Sequence, residues 1–355
     1  MALSMYDVWD ASRSDLPDDP GQALAAMQRS GLDALPLPGQ GATLDRWKML
    51  AAVSSWDLSL AKLYEAHTDA LAILAELSPG TPLPSGLGGV WAAEAPGFTV
   101  HQTPSSDDRV TLTGKKAWCS GATCLDWALL TTWTRDERDA RPSLSLVDLK
   151  HPGIVADASG WHAVGMSRVS TSTVQFDNVP ARLIGPPGAY LNRPGFWHGG
   201  AGIAACWYGA STALADALAQ TVRRRAREVG NSAGAGLKQD PFRLAHLGAV
   251  DVALTQARAL LFQTAAEVDA HNASAVGAAQ RSQQAAMRVR AACEVAASTV
   301  LAHVGKALGA TPYCADARFA RMAADLPVFL RQSHAERDLA ALAELAIDDP
   351  RPWSL

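Results

Sequence analysis

The stretch Leu112-Thr-Gly-Lys-Lys-Ala-Trp-Cys-Ser-Gly-Ala122 combines a β-type run with glycines at both ends. Side chains alternate between the two faces of a strand, so a strand here places Trp118 and Ser120 on one face and Cys119 on the other. Gly114 and Gly121 favour turns at the ends of this run. The stretch therefore predicts a strand that presents an indole and a hydroxyl on one surface.

A second stretch, Gly165-Met-Ser-Arg-Val-Ser-Thr-Ser-Thr-Val-Gln-Phe-Asp-Asn-Val-Pro180, predicts a loop, an alternating strand and an exit at a proline. Between Val90 and about Ile184, other short alternating runs are separated by Gly, Asp and Pro; they lie at 99–101, 110–113, 127–133 and 143–147. No long helical pattern interrupts them. This excludes βαβ crossovers and predicts a small antiparallel barrel or sandwich.

Helical patterns lie on both sides of this β region. Before it, apolar residues recur at three- and four-residue steps between about Gly21 and Leu77. After it, an Ala-rich region predicts about four long helices, typical of a bundle, at 204–227, 241–272, 276–310 and 315–346. The chain is therefore predicted to be α+β, with an N-terminal helical domain at 1–88, a β-barrel domain at 89–190 and a C-terminal four-helix bundle at 191–355.

The composition excludes several classes of protein. Of the 355 residues 48% are hydrophobic and 19% are charged, which is enough apolar material for a large core and excludes intrinsic disorder. A net charge of -4 gives no field that would attract nucleic acid. The sequence has no apolar run of about 18 residues and starts without a basic-then-apolar leader. We therefore expect a cytoplasmic protein that neither spans a membrane nor binds nucleic acid.

Common chemical signatures are absent from the sequence. The five cysteines are irregularly spaced and form no CxxC pair, so we expect packing residues rather than disulfides or a zinc site. Walker, GxGxxG, HExxH and GxSxG motifs are missing, and no metal site is predicted. The basic run Arg223–Arg227 has two interpretations: a solvated helix end, or a contact to phosphate groups of a cofactor or of coenzyme A.

The two β motifs and the helix–β–helix order resemble the acyl-CoA dehydrogenase family, from the helix at 58–67 to about Leu345. That resemblance implies FAD, whose ring would be covered by Trp118 and would accept or donate a hydrogen bond at Ser120. A flavin is a large apolar plane with polar edges, so an aromatic wall and a small hydroxyl suit it. The residues assigned to the cofactor on this basis are Trp91, Ala92, Ala93, Trp118, Cys119, Ser120, Arg168 and Ser333.

Several family motifs are altered here. Ala93 stands where the family has a threonine, and Gly97-Phe-Thr99 replaces the Gly-Ser-Asp associated with coenzyme A. The segment 231–239 lacks the Arg and Phe that hold the FAD diphosphate of a neighbouring subunit, and the Gly-rich motif is degraded at 303–313. These departures imply weaker FAD binding, or an adenylate held by other groups.

The family's catalytic glutamate is also missing. Its usual position falls on Leu330 or Arg331, and the alternative position lies near 198–200, where there is no carboxylate. The remaining candidates for a base are His198, His334, Glu336 and Asp338. A histidine can exchange a proton near neutral pH, while Arg331 could instead bind an anionic substrate group in a bidentate manner.

Three functions are compatible with this pattern. The first is an FAD-dependent oxidoreductase that desaturates an acyl-CoA or acyl-like substrate by base-assisted hydride transfer. The second is a monooxygenase of the same fold that uses reduced flavin and O₂, and that needs no glutamate. The third is a diverged protein that binds a flavin or an acyl group without turnover. The resemblance also implies a homodimer or homotetramer, and an electron-transfer partner or a flavin reductase.

Overall fold

The computed structural model of the chain describes residues 4–134, 141–231 and 240–347. The altered family motif predicted around 231–239 lies, apart from its first residue, outside the described residues. The chain divides into a first unit, Met1–Pro38, Ser59–Ala163 and Ser167–Gly199, and a second unit, Gly39–Leu58, Val164–Met166 and Gly200–Leu355. The three-domain division at 88/89 and 190/191 stays a prediction.

Helices occupy the two ends of the chain, as the apolar periodicity predicts. The first two begin at polar caps: the Ser4 hydroxyl accepts from the Asp7 amide, and Asp19 accepts from the Gln22 amide in front of Pro20. Their bounds are α1 Met5–Ser12, α2 Pro20–Arg29, α3 Thr43–Trp56, α4 Leu58–Leu77, α5 Ala189–Asn192, α6 Pro194–Asn231, α7 Pro241–Asp269, α8 Ala278–Leu308, α9 Thr311–Ala315, α10 Ala317–Leu330 and α11 Glu336–Ala346.

The region between them folds into one sheet within the first unit. Its strands are β1 Gly88–Trp91, β2 Val100–Ser106, β3 Arg109–Cys119, β4 Trp127–Thr132, β5 Ser143–Asp148, β6 Ile154–Asp157 and β7 Ser172–Leu183. The strand order is β1-β4-β5-β7-β3-β2, and β6 pairs with β7. All pairs of named strands are antiparallel except β1 with β4, which is parallel. The sheet curls toward closure because the Trp133 amide donates to the Val100 carbonyl (2.9 Å).

The core of the first unit lies between α4 and one face of this sheet. Leu74 of α4 packs with Trp127 and Leu129 of β4, and with Tyr190 of α5. The buried imidazole of His67 links the same layers, because the Gly88 amide donates to its Nδ1 atom (2.9 Å). These contacts fix β1, the strand that leads into the predicted flavin-binding residues.

The second unit is helical. Its longest elements are α6 to α8. Their C-terminal ends lie within a few residues of the predicted ones, but α6 begins at Pro194, ten residues before the predicted start. The predicted helix at 315–346 is divided into α10 and α11 by a turn at 331–335, where Ala335 has a φ of 47°. The mixed α+β class and the helix–β–helix order are confirmed. Within the described ranges, no helix has the length and apolarity needed to cross a membrane.

Candidate functional site

In the first unit, the structure brings six of the predicted cofactor-binding residues together at one end of the sheet. The indole Nε1 of Trp91, at the end of β1, donates to the Ser120 carbonyl (3.0 Å). Gly121 donates from its amide to the Val169 carbonyl (2.9 Å), and the Ser120 hydroxyl lies 3.3 Å from that of Thr171. The residues united by these contacts are Trp91, Ala92, Ala93, Trp118, Cys119 and Ser120.

The strand that carries Trp118 is not regular. The pairing of β3 with β7 shifts between Lys116 and Cys119, and Trp118 has a left-handed φ of 61°. Trp118 is therefore 56% exposed, whereas both Lys116 and Cys119 are buried. The strand ends at Cys119, so the predicted sharing of one strand face by Trp118 and Ser120 does not hold. The bulge instead presents the indole outward.

A second indole, which is not among the residues assigned to the cofactor, lies against this one. Trp161 meets Trp118 edge-on, with ring centroids 6.1 Å apart and planes at 84°. The Nε1 atom of Trp161 is buried and has no hydrogen-bond partner among the described residues. Trp161 lies in an irregular loop, where no periodicity marks it, and only its position just before the second motif could have drawn attention to it.

An ion pair between buried Lys116 and partly exposed Glu94 lies beneath the bulge. Lys116 Nζ donates to Glu94 Oε1 (2.8 Å) and to the hydroxyl of Thr131 (2.7 Å), and that hydroxyl also donates to Glu94. Burial raises the pKa of the Cys119 thiol to about 12, although the charge of Lys116 acts in the opposite direction. Cys119 is therefore a neutral packing residue, and only its backbone is available to a cofactor.

The other predicted residues of the first unit occupy different surroundings. The guanidinium of Arg168 contacts both the carboxylate and the backbone carbonyl of Asp18. His198 is buried near the start of α6. The chain just before it is anchored to α4, because Arg193 and the Gly195 amide both donate to the carboxylate of Glu76 (2.7 and 3.2 Å). His198 thus has the burial expected of a structural histidine.

In the second unit, four predicted residues share one turn, between α10 and α11. The backbone of the turn is held by Arg290 of α8, which donates to the Gln332 carbonyl (3.1 Å). The Ser333 hydroxyl accepts from the Ala335 amide (3.1 Å), and exposed His334 forms a pair with Asp338 (3.4 Å). The four predicted residues of this turn are Arg331, Ser333, His334 and Glu336.

The usual position of the family's missing glutamate, at Leu330 or Arg331, carries no base. Leu330 is buried, and Arg331 forms an ion pair with Glu294 of α8 (2.5 Å). Glu336 is an exposed residue in the first turn of α11, where a negative charge favours the helix. His334 is the exposed imidazole of this turn.

The basic run of α6 lines a cavity of about 1040 Å³ in the second unit. Among the described residues that line it, four are arginines and one, Asp316, is acidic. The carboxylate of Asp316 already accepts hydrogen bonds from the Arg318 and Phe319 amides, because Asp316 is the N-cap of α10. The arginines are Arg223, Arg224, Arg227 and Arg243. This charge balance favours the second interpretation of the run, an anion-binding surface.

No arrangement for a metal ion is found. The described parts of the chain contain no group of three or more His, Cys, Asp or Glu side chains that could hold one. His246 and His303 do approach each other, with their Nδ1 atoms 2.9 Å apart. This distance fits a hydrogen bond between the two rings.

Comparison with known proteins identifies the fold. Residues 93–179 match the family described as "Acyl-CoA dehydrogenase, middle domain". No curated protein matches the chain. FMN-bound TdsC from Paenibacillus sp. A11-2 superposes with a TM-score of 0.72 at 18% identity, covering 84% of this chain and 82% of TdsC. TdsC is a dibenzothiophene monooxygenase.

Two other solved structures cover more of the chain. Methanesulfinate monooxygenase MsuC from Pseudomonas fluorescens has a TM-score of 0.75 at 16% identity and covers 98% of this chain and 97% of MsuC. A nitrososynthase from Micromonospora carbonacea var. africana has a TM-score of 0.73 at 19% identity, with 96% and 92% covered. Such low identities establish the fold alone. The chain therefore has the acyl-CoA dehydrogenase-like fold, and its residues 93–179 correspond to the middle domain of that family.

Proposed function

We propose that the chain is a flavin-dependent monooxygenase that uses O₂ and acts on a small organic molecule. The observation that carries this proposal is the turn after α10. Where desaturation needs a carboxylate, the chain has buried Leu330 and ion-paired Arg331, while exposed His334 remains available. The similar structures described above, two monooxygenases and a nitrososynthase, support the same choice.

The first unit offers a surface that suits an isoalloxazine ring. The outward indole of Trp118 provides an aromatic wall, and Ser120 provides a hydroxyl at the edge. Backbone groups of Ala92 and Ala93, which follow β1 without continuing it, provide further polar contacts. A reduced flavin bound there would supply the two electrons needed to activate O₂. Exclusion of bulk water would be the task of the two indoles.

The arginine-lined cavity of the second unit is, considered by itself, a candidate site for a phosphate-bearing ligand. Its four arginines can form charge-assisted hydrogen bonds with a phosphate or a diphosphate group. The family resemblance favours FAD, completed across a subunit interface. FMN is the alternative, because the FAD motifs are altered in sequence and FMN is bound by TdsC.

The protein's own groups would then handle protons and the substrate. His334, paired with Asp338, would exchange a proton with the substrate or with solvent, and Arg331 would attract an anionic group. Buried His198 is assigned a structural role, and Glu336 that of a helix-stabilising charge. We also propose a cytoplasmic homodimer or homotetramer that receives reduced flavin or electrons from a separate reductase.

Desaturation of an acyl-CoA is the second candidate, and the match of residues 93–179 to an acyl-CoA dehydrogenase domain favours it. That reaction would have to use His334, Glu336 or Asp338 as its base. The two candidates differ in what consumes the electrons. An oxygenase consumes O₂, whereas a dehydrogenase reduces its flavin with the acyl-CoA when O₂ is absent.

One experiment separates them. The purified protein is titrated with FMN and with FAD, then given reduced flavin, air and a panel of thioethers, sulfinates and amines. We expect oxygenated product, and we expect no anaerobic bleaching of bound flavin by a panel of acyl-CoAs. Bleaching by an acyl-CoA would show that desaturation is correct, and failure to bind either flavin would leave only a non-catalytic protein.

The role of His334 is tested separately. His334→Ala should lower turnover by about a hundredfold or more, as expected for loss of a general acid or base. Glu344→Gln, which removes an exposed charge from α11, is the matched control and should leave turnover unchanged. Equal rates in the wild-type protein and in the His334→Ala variant would remove this residue from the mechanism.

A further inference from the structure

Lys116 is fully buried inside the barrel, two residues before Trp118. A buried ammonium is costly unless it is paired and hydrogen-bonded. Its partners come from two other segments: Glu94 follows β1, and Thr131 lies on β4. The network therefore joins three segments of the first unit at a single point.

The three segments include both parts of the proposed flavin surface. Glu94 directly follows Ala92 and Ala93, and Lys116 lies two residues before the segment 118–120. The hydrogen bond from the Trp91 indole to the Ser120 carbonyl is the other link between these parts (3.0 Å). Two links, one ionic and one neutral, thus fix the position of the β1 connection relative to the bulge.

The bulge also depends on the direction in which Lys116 points. In a regular strand, residues 116 and 118 share one face, so an inward Lys116 would bring Trp118 inward as well. The register shift between Lys116 and Cys119 breaks this alternation and turns Trp118 outward. Lys116 is the last inward side chain before the shift, and its ion pair fixes where the shift begins.

We infer that Lys116 and Glu94 are positioning residues, which hold the bulge and thereby keep Trp118 and Ser120 in place for the flavin. The inference rests on the proposed flavin surface, but its structural part concerns the protein without cofactor. An ion pair with a buried lysine is well suited to this task, because the ammonium must meet its carboxylate in one register of the strand, where an apolar pair would accept several.

The experiment replaces the whole pair, using the double variant Lys116→Met with Glu94→Gln. Quenching of tryptophan fluorescence by iodide is measured in the cofactor-free protein, with and without a Trp118→Phe change, so that the difference reports Trp118 alone. Flavin dissociation constants are measured by titration with FMN and with FAD. Lys150→Met, which breaks the surface pair of Lys150 with Asp126, is the matched control.

We expect the Trp118-specific quenching to fall in the double variant, because a regularised strand turns the indole inward. We also expect both flavin dissociation constants to rise about tenfold. The Lys150→Met control should match the wild-type protein in both measurements. Wild-type quenching and wild-type affinity in a folded double variant would overturn the inference. If the wild-type protein bound no flavin, the proposed function would fail, and the quenching result would still decide the positioning role.

A conservative variant covers the case in which the double variant does not fold. Glu94→Asp keeps the charge and shortens the side chain by one methylene, so the ion pair can form only if β3 and the β1 connection shift. We expect a smaller fall in Trp118-specific quenching and a smaller rise in both dissociation constants. A Glu94→Asp protein that equals the wild-type protein in both would overturn the inference.

Discussion

Two ion pairs, one in each unit, occupy very different environments. In the barrel, the Lys116 side chain is 1% exposed and its partner Glu94 is 42% exposed. On the helices, Arg331 is 59% exposed and Glu294 is 17% exposed. The first pair fixes the backbone of a binding surface from inside. The second lies on a solvated turn, where screening leaves little net stabilisation. The barrel side is thus preorganised, whereas the groups on the turn can adjust.

The largest effect is expected from the strand that carries Lys116. Gly114 has a φ of 134°, and a Cβ atom there would lie 2.2 Å from the Thr99 carbonyl oxygen. Gly114→Ala should therefore lower the free energy of unfolding by about 4 kcal/mol. Gly97 also has a positive φ (81°), but nothing lies near its Cβ position, so Gly97→Ala should cost only about 1 kcal/mol. Urea denaturation measures both, and equal losses would mean that β3 is less constrained than we describe.

Breaking the two ion pairs tests the comparison directly. Glu94→Gln leaves a fully buried ammonium without its counter-charge, so we expect a loss of about 2–3 kcal/mol in the free energy of unfolding. Lys116→Met should cost less, because half-exposed Glu94 can be hydrated. Glu294→Gln, the matched change in the other unit, should cost less than about 1 kcal/mol. If Glu294→Gln lowered the free energy of unfolding more than Glu94→Gln did, the roles assigned to the two regions would have to be exchanged.

Flavin affinity provides a third contrast between the regions. Trp118→Ala removes the exposed indole and should raise the flavin dissociation constant about tenfold, whereas Trp118→Phe keeps an aromatic plane and should have a smaller effect. Glu336→Gln, on the helical side, should leave the constant within about twofold of the wild-type value. Fluorescence titration measures all three variants. An unchanged constant in Trp118→Ala would place the ring elsewhere.

The smallest effect is expected from the reactivity of the cysteines, which is measured without substituting any residue. Burial raises the pKa of Cys119 and of Cys293 to about 12, and that of Cys124 to about 11. Because a raised pKa disfavours the thiolate, these groups should stay unreactive from pH 7 to pH 9. Exposed Cys314 should be alkylated first. Mass spectrometry after brief treatment with iodoacetamide shows the order, and early labelling of Cys119 would mean that the barrel end opens.

The sequence predicted the fold class well and the local backbone less well. Long helices such as α7 and α8 follow from their own apolar periodicity, which depends little on the rest of the chain. The break between α10 and α11 was missed, because no glycine marks it and Ala335 adopts a left-handed conformation there. The parallel pairing of β1 with β4 was missed because alternation does not reveal which strands are neighbours.

In the candidate site, too, some features could be predicted from the sequence and others could not. Trp118, Ser120 and the β1 connection could be grouped from sequence, because the family motifs carry them. Lys116 could not be assigned a buried role, since a lysine in an alternating strand is normally placed on the solvated face. The bulge depends on a positive φ at a tryptophan, which residue propensities disfavour. Positions that violate local preferences are common at functional sites.

The left-handed backbone conformation of Trp118 implies a trade-off between the stability of the fold and the binding role proposed for the indole. Glycine would adopt that φ without strain, and the exposed indole gains little from burial, so a glycine at this position would make the fold more robust. The same substitution would remove the aromatic wall. The chain therefore keeps a strained residue at a position where unstrained glycine would remove the aromatic wall of the proposed flavin surface.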